Sequence, residues 1–174
     1  WVGIFQYQKN LPGLLSVVEN SPQYNFKIAG KSSDTVLDNK TNESIRKLKK
    51  NKNVEFVGFL SRDEVKLFLK ESIVLINTSF YEGFSNTYLE AFSVGTPVIT
   101  TESTDPDNII DKFNLGATSR DINDMPKVIN NFISSKIDVS YKNRCINYVN
   151  ENHNPQKLAS ELLELIKQKM HRKK

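Results

Sequence analysis

The chain has 174 residues, 38% of them hydrophobic and 25% charged, with a formal net charge of +4; this balance suits one globular domain with a sizeable core. The single cysteine, Cys145, excludes an intrachain disulfide and a cysteine-based zinc site, and no apolar run reaches the ~18 residues of a membrane span. Five positive charges (Lys167, Lys169, Arg172, Lys173, Lys174) sit at the C-terminus and the rest of the chain is close to neutral, so no basic stripe interleaved with aromatics speaks for nucleic acid.

In chain order, Trp1 to Phe5 reads as a first strand and Lys9 to Glu19 as a helix with Leu11, Leu14, Leu15 and Val18 on one face and Pro12 in its first turn. Phe26 to Gly30 is a second strand closed by a glycine. Lys31 to Thr41 is a polar loop, and a short helix runs from about Thr41 to Leu48. Val54 to Phe59 is a third strand. Ser61-Arg62-Asp63-Glu64 has the form of a capping box and opens a helix carrying Val65, Leu67, Phe68 and Leu69. Ile73 to Ile76 is a fourth, buried strand. A loop from Ser79, a helix from Ser85 and a fifth strand at Val98-Ile99-Thr100 follow. Asp105-Pro106-Asp107 opens a short helix through Asp111, and Asn114-Leu115-Gly116 marks a turn. Helices over Asp124 to Ile133, Tyr141 to Glu151 and Gln156 to Met170 complete the chain. Strands alternate with helices, which predicts an α/β fold: a doubly wound parallel sheet with helices on both faces. Ligands then bind beyond the carboxyl ends of the strands, on the loops after Phe5, Gly30, Phe59, Ser79 and Thr101.

One of those loops carries chemistry. In Ser79 to Pro97, SFYEGFSNTYLEAFSVGTP, Ser85 is the expected N-cap, Tyr88, Leu89, Ala91 and Phe92 give an apolar helical face, and Gly95 is the expected left-handed C-cap. The helix N-terminus offers free backbone N–H groups to a phosphate. Glu82 and Glu90 frame it. Carboxylates beside a phosphate site more often accept hydrogen bonds from sugar hydroxyls than touch the phosphate, and a nucleotide sugar offers both groups.

Glu82 and Glu90, seven residues between them, with Gly83-Phe84 after the first and Ala91 after the second, resemble the signature of retaining glycosyltransferases of the GT-B fold, glycosyltransferase family 4 (group 1). The pattern runs from Asn53 to Gly116, and Trp1-Val2-Gly3 with Lys9-Asn10 resembles the opening of that family's second Rossmann-like domain; residues 1 to about 120 carry the resemblance. It implies the C-terminal half of a GT-B fold and a donor site for a nucleoside-diphosphate sugar. It implies that Glu90 binds the ribose hydroxyls and Glu82 the transferred sugar, as a catalytic or positioning carboxylate. Gly83, Phe84, Ser85, Asn86 and Thr87 bring backbone N–H groups to the diphosphate, with Phe84 a packing residue and the Thr87 hydroxyl a further phosphate donor. Lys9 matches the family's diphosphate-binding lysine, but Ile4 stands where the family usually has an arginine, which removes a bidentate phosphate donor; Lys31 is a candidate replacement. Phe59 and Leu60 fall in the base-binding region. Thr104-Asp105 replaces a usual pair of glycines.

The resemblance further implies retention at the anomeric carbon and no obligatory metal or cofactor; Asp105-Pro106-Asp107 is read as a helix start. His153 and His171 are read as structural or solvated, and Cys145 as a half-buried helix residue rather than a nucleophile. No signal peptide is visible and the first methionine is Met125, so the chain reads as a piece of a longer, two-domain enzyme, with 1–174 the donor domain and 155–174 a C-terminal helix and basic tail. The expected acceptor is a glycan or glycolipid bound by the other domain. The expected location is cytoplasmic. The tail is read as a solvated helix end, with peripheral association at anionic lipid the sharper alternative. Two other readings stay open: a nucleotide-sugar epimerase of the same fold, and a non-catalytic domain that has lost donor binding.

Overall fold

The structure is a computed structural model that describes residues 1–33, 38–105, 107–135 and 137–171. Part of the polar stretch after Lys31, Pro106, and the last three basic residues of the tail lie outside these. Among the described residues there are five short strands: β1 (Phe26–Ala29), β2 (Val54–Gly58), β3 (Leu75–Ile76), β4 (Val98–Thr101) and β5 (Gly116–Ser119). Every pairing is parallel, β1 with β2 and β3 with β4 and then β5. Residues 1–5 run parallel beside β1 as isolated bridges, Val2 to Ala29 and Phe5 to Ser32, rather than as the continuous strand expected.

Eight α-helices separate these strands among the described residues: α1 (Leu11–Glu19), α2 (Asn39–Leu48), α3 (Arg62–Lys70), α4 (Asn86–Ser93), α5 (Ile109–Lys112), α6 (Met125–Ser134), α7 (Val139–Asn152) and α8 (Pro155–His171). The capping box of α3 is formed as the sequence predicts: Ser61 N–H donates to Glu64, and the Glu64 N–H to the Ser61 hydroxyl. Such a cap contributes about 1 kcal/mol. α1 starts later than expected. A 3₁₀ turn, Tyr7–Lys9, precedes it, and Asn10, in the left-handed region at φ 49°, accepts from Gly13 N–H.

Strand alternation distributes the core. Ile76 and Ile99 enter a cluster with Phe5, Leu11, Leu14, Ile28, Met125 and Ile129, while their neighbours Leu75 and Val98 enter another with Leu69, Phe92, Ile110 and Tyr148. Successive side chains of a strand point to opposite faces, so β3 and β4 are buried on both, and helices cover each side. β5 was not anticipated. It consists of Gly-Ala-Thr-Ser, and its first residue must be glycine, since a Cβ there would lie 1.8 Å from Val98 O. β3 is shorter than the expected Ile73 to Ile76, and Ile73, read as part of a buried strand, is exposed. α7 packs on α4, burying Cys145, whose thiol is pushed up to about 12 by that burial; its expected half-burial is in fact complete. α8 is exposed along its length.

Candidate functional site

The 3₁₀ turn after the first segment and the loop after β3 meet at the carboxyl end of the sheet. Lys9 Nζ lies 2.6 Å from Glu82 Oε1. The Ser79 hydroxyl donates to the same oxygen at 2.7 Å, and Asn77 Nδ2 at 3.4 Å. Backbone contacts lock the two segments: Phe80 N–H donates to Gln8 O and the Gln8 side-chain amide to Tyr81 O. Partial burial works against ionisation of Glu82, but hydrogen bonds from Lys9 and Ser79, the lysine charge and Asn77 together hold its carboxyl below the usual value.

Beside this pair α4 begins. Ser85 has the extended backbone of an N-cap, φ −76° and ψ 117°, yet its hydroxyl makes no capping bond. The expectation that this serine caps the helix through its side chain is therefore corrected. The leading N–H groups of α4, at Asn86 and Thr87, keep their capacity to bind an anion. A Cβ on Gly83 would meet no atom within 4 Å, so packing within the chain does not demand glycine there. Phe84 packs on His153, with ring centroids 5.2 Å apart. Glu90 lies one turn along α4 from Asn86 and Thr87; it is half-buried, and its carboxylate has no partner among the described residues. Gly95 follows the helix at φ 80°, as expected for its end. Under α4, the buried Tyr88 hydroxyl meets Thr100 Oγ1 at 2.9 Å and is pushed up to about 12 by burial.

A pocket of about 150 Å³ opens between the first segment, β1 and β2, lined by Ile4, Gly30, Lys31, Phe59 and Leu60 among others. The Lys31 ammonium sits 5.0 Å from the centre of the Phe59 ring. Ile4 and Lys31 thus share one pocket. A second cavity, about 390 Å³, involves Trp1, Tyr24, Phe26 and Val74 at the amino ends of the strands, away from this chemistry.

Asp105 does not start a helix directly. Its two oxygens accept from Ile109 and Ile110 N–H, and α5 begins at Ile109. Burial raises its carboxyl, against those two hydrogen bonds. The sequence Asp105-Pro106-Asp107 has an acid-x-acid spacing, but Asp105 is committed to the backbone. Among the described residues no group of three or more His, Cys, Asp or Glu side chains gathers as a metal site would require, and no helix is long and apolar enough to cross a membrane.

Of the residues singled out from sequence, Lys9 and Glu82 meet directly, Gly83–Thr87 and Glu90 follow on the same loop and helix, and Phe59 and Leu60 line a pocket with Ile4 and Lys31. Sequence reasoning missed Asn77 and Ser79, whose signal was a polar Asn-Thr-Ser triplet straight after an apolar strand. His153, read as structural or solvated, is structural: it packs on Phe84 of the loop, far from it in sequence.

The family described as Glycosyl transferases group 1 matches residues 1–152. An uncharacterized glycosyltransferase of Methanocaldococcus jannaschii, MJ1059, is 38% identical over 86 residues, 49% of this chain and 20% of that protein. The C-terminal domain of the group 1 glycosyl transferase LpcC from Francisella tularensis superposes with a TM-score of 0.70 at 21% identity, covering 88% of this chain and 86% of that one. Anabaena HepE, solved with UDP, superposes with a TM-score of 0.77 at 15% identity, covering 96% of this chain and 48% of that one. The chain thus spans about a fifth of the curated relative and half of HepE. Its architecture is the Rossmann-like α/β fold of GT-B glycosyltransferases, and with the match running over residues 1–152 the chain belongs to the glycosyl transferases group 1 family.

Proposed function

We propose that this chain is the donor-binding domain of a glycosyltransferase that moves a sugar from a nucleoside diphosphate to a glycan or lipid-linked acceptor, with retention at the anomeric carbon and with the acceptor held by a domain outside this chain. The observation that carries the reading is the pairing of Lys9 with Glu82 at 2.6 Å beside a helix start that its own serine leaves uncapped. A diphosphate lies between Lys9 and the N–H groups of Asn86 and Thr87, with the Thr87 hydroxyl near. Glu90, unpartnered on the same helix, accepts from the ribose diol. Glu82 meets the sugar. The base enters the pocket of Phe59 and Leu60, and Lys31, beside Ile4, supplies the cation that arginine supplies elsewhere in the family. Lys9 and the helix N-terminus carry the leaving diphosphate's charge with no obligatory metal. HepE was also solved with UDP-glucose, which supports a nucleotide sugar as ligand.

Calorimetric titration with UDP, GDP and ADP, without added metal, tests this. One nucleotide should bind, more weakly to Glu90→Ala, while the isolated domain transfers no sugar. Absence of binding to all three would overturn the reading in favour of a domain that has lost its donor, the alternative that Ile4 keeps open.

A further inference from the structure

Three donors converge on a single oxygen of Glu82. Lys9 Nζ, Ser79 Oγ and Asn77 Nδ2 all reach Oε1, at 2.6, 2.7 and 3.4 Å. A carboxylate oxygen has about two lone-pair directions, so Oε1 is filled. Oε2 has no partner among the described residues. The donors differ in kind. Lys9 ends a flexible four-carbon stem. Asn77 and Ser79 are buried, 8% and 3% exposed, and sit where β3 ends, with Asn77 N–H bonded to Ile99 O and Ser79 N–H to Asn77 Oδ1.

The side chains of the triplet make their contacts in alternate directions. Asn77 and Ser79 turn to Glu82. Thr78, between them, turns to the other segment: its hydroxyl donates to Lys9 O at 3.0 Å and accepts from Trp1 Nε1 at 3.2 Å. Three consecutive residues therefore fix the lysine's main chain and the glutamate's side chain to one strand end.

We infer that Asn77 and Ser79 are positioning residues, which hold Glu82 by Oε1 so that Oε2 alone is presented to the donor's sugar, while Thr78 sets the register of the Lys9 turn against them. This rests on the reading of Glu82 as the sugar contact. A carboxylate with one pinned oxygen accepts along few directions, so it selects the orientation of the hydroxyl it meets. The lysine supplies charge and the strand end supplies direction.

The test uses this chain with ¹³C-carboxyl-labelled glutamate. The Glu82 resonance is followed by NMR through its titration in wild type, Ser79→Ala, Asn77→Ala and Ser79→Thr, and UDP-glucose and UDP are titrated into each. The Glu82 carboxyl should titrate at higher pH in Ser79→Ala and Asn77→Ala and return toward wild type in Ser79→Thr. UDP-glucose affinity should fall about five- to tenfold, the worth of one hydrogen bond, while UDP affinity stays within about twofold. A Glu82 titration unchanged in both alanine variants overturns the positioning role whatever the donor does. Equal losses for UDP and UDP-glucose overturn it too, since they show damage to the phosphate side. A wild-type chain that binds UDP-glucose no better than UDP instead overturns the sugar contact, and that failure belongs to the functional reading.

Discussion

Phe84 and His153 lie against each other, ring centroids 5.2 Å apart, and His153 Nε2 is 3.3 Å from the Tyr148 hydroxyl. The residue that follows α7 thus props the loop carrying Glu82 and Gly83. Burial lowers the His153 pKa. A depressed folded-state pKa means the unfolded chain binds the proton more readily, so this contribution is full above the ordinary histidine value and is lost as pH falls below it. Urea unfolding at pH 7.5 and 5.5 should show wild type losing more stability on acidification than His153→Phe, which keeps a ring on Phe84 but cannot titrate. Equal losses would show that His153 protonation is not felt.

Replacing Lys9 with methionine removes the cation from Glu82. Burial then works on that carboxyl with less opposition, so it should titrate higher. The stability that its ionised form contributes is present above the ordinary glutamate value and lost as pH falls through the folded-state value; in Lys9→Met this pH-dependent part should shrink. Nucleotide affinity should fall about tenfold to a hundredfold, the range for a charge-assisted contact, measured by calorimetry.

Ile4 is 48% exposed and lines the pocket shared with Lys31 and Phe59, so a longer, charged side chain has room there. Ile4→Arg should raise nucleoside-diphosphate affinity about tenfold. Lys31→Met should lower it in wild type and have less effect beside Arg at position 4. The two-by-two comparison separates replacement from simple addition of charge.

Two glycines should behave oppositely. A Cβ on Gly30, at φ +152°, would lie 1.9 Å from Gly3 O, where the first segment closes on β1. Gly30→Ala should cost more than about 2 kcal/mol in urea unfolding. A Cβ on Gly83 meets nothing of the chain, so Gly83→Ala should change stability by less than about 0.5 kcal/mol and show its effect in nucleotide binding.

Much of this was legible from the chain itself, where a local rule decided the outcome. Ser61 and Glu64 are three residues apart at a helix start, and the box forms; Gly95 ends α4 at positive φ. The alternation of strand and helix gave the layers. Where the outcome depended on how a loop turns or on a neighbouring strand, the reading failed. β5 opens on a glycine because Val98 O presses on that position, which no periodicity reveals. Asp105 resembled a helix start, but its carboxylate reaches two N–H groups four and five residues on. Ser85 has the right residue type and backbone for a cap, yet its hydroxyl makes no capping bond. The Asn77 and Ser79 side chains point at Glu82 only once the loop has turned.

β3 has two residues, Leu75 and Ile76, and each belongs to a different hydrophobic cluster. Its rungs to β4 are Leu75 N–H to Pro97 O and Asn77 N–H to Ile99 O. Deuterium can reach those amides only when the layers on both faces part together, so they should exchange near the global unfolding limit. The Asn77–Ser79 triplet grows straight out of this wall. A core substitution on either side of the sheet therefore reaches Glu82 through the same short span, and under the proposed function sugar affinity becomes a gauge of how well both halves of the interior are packed.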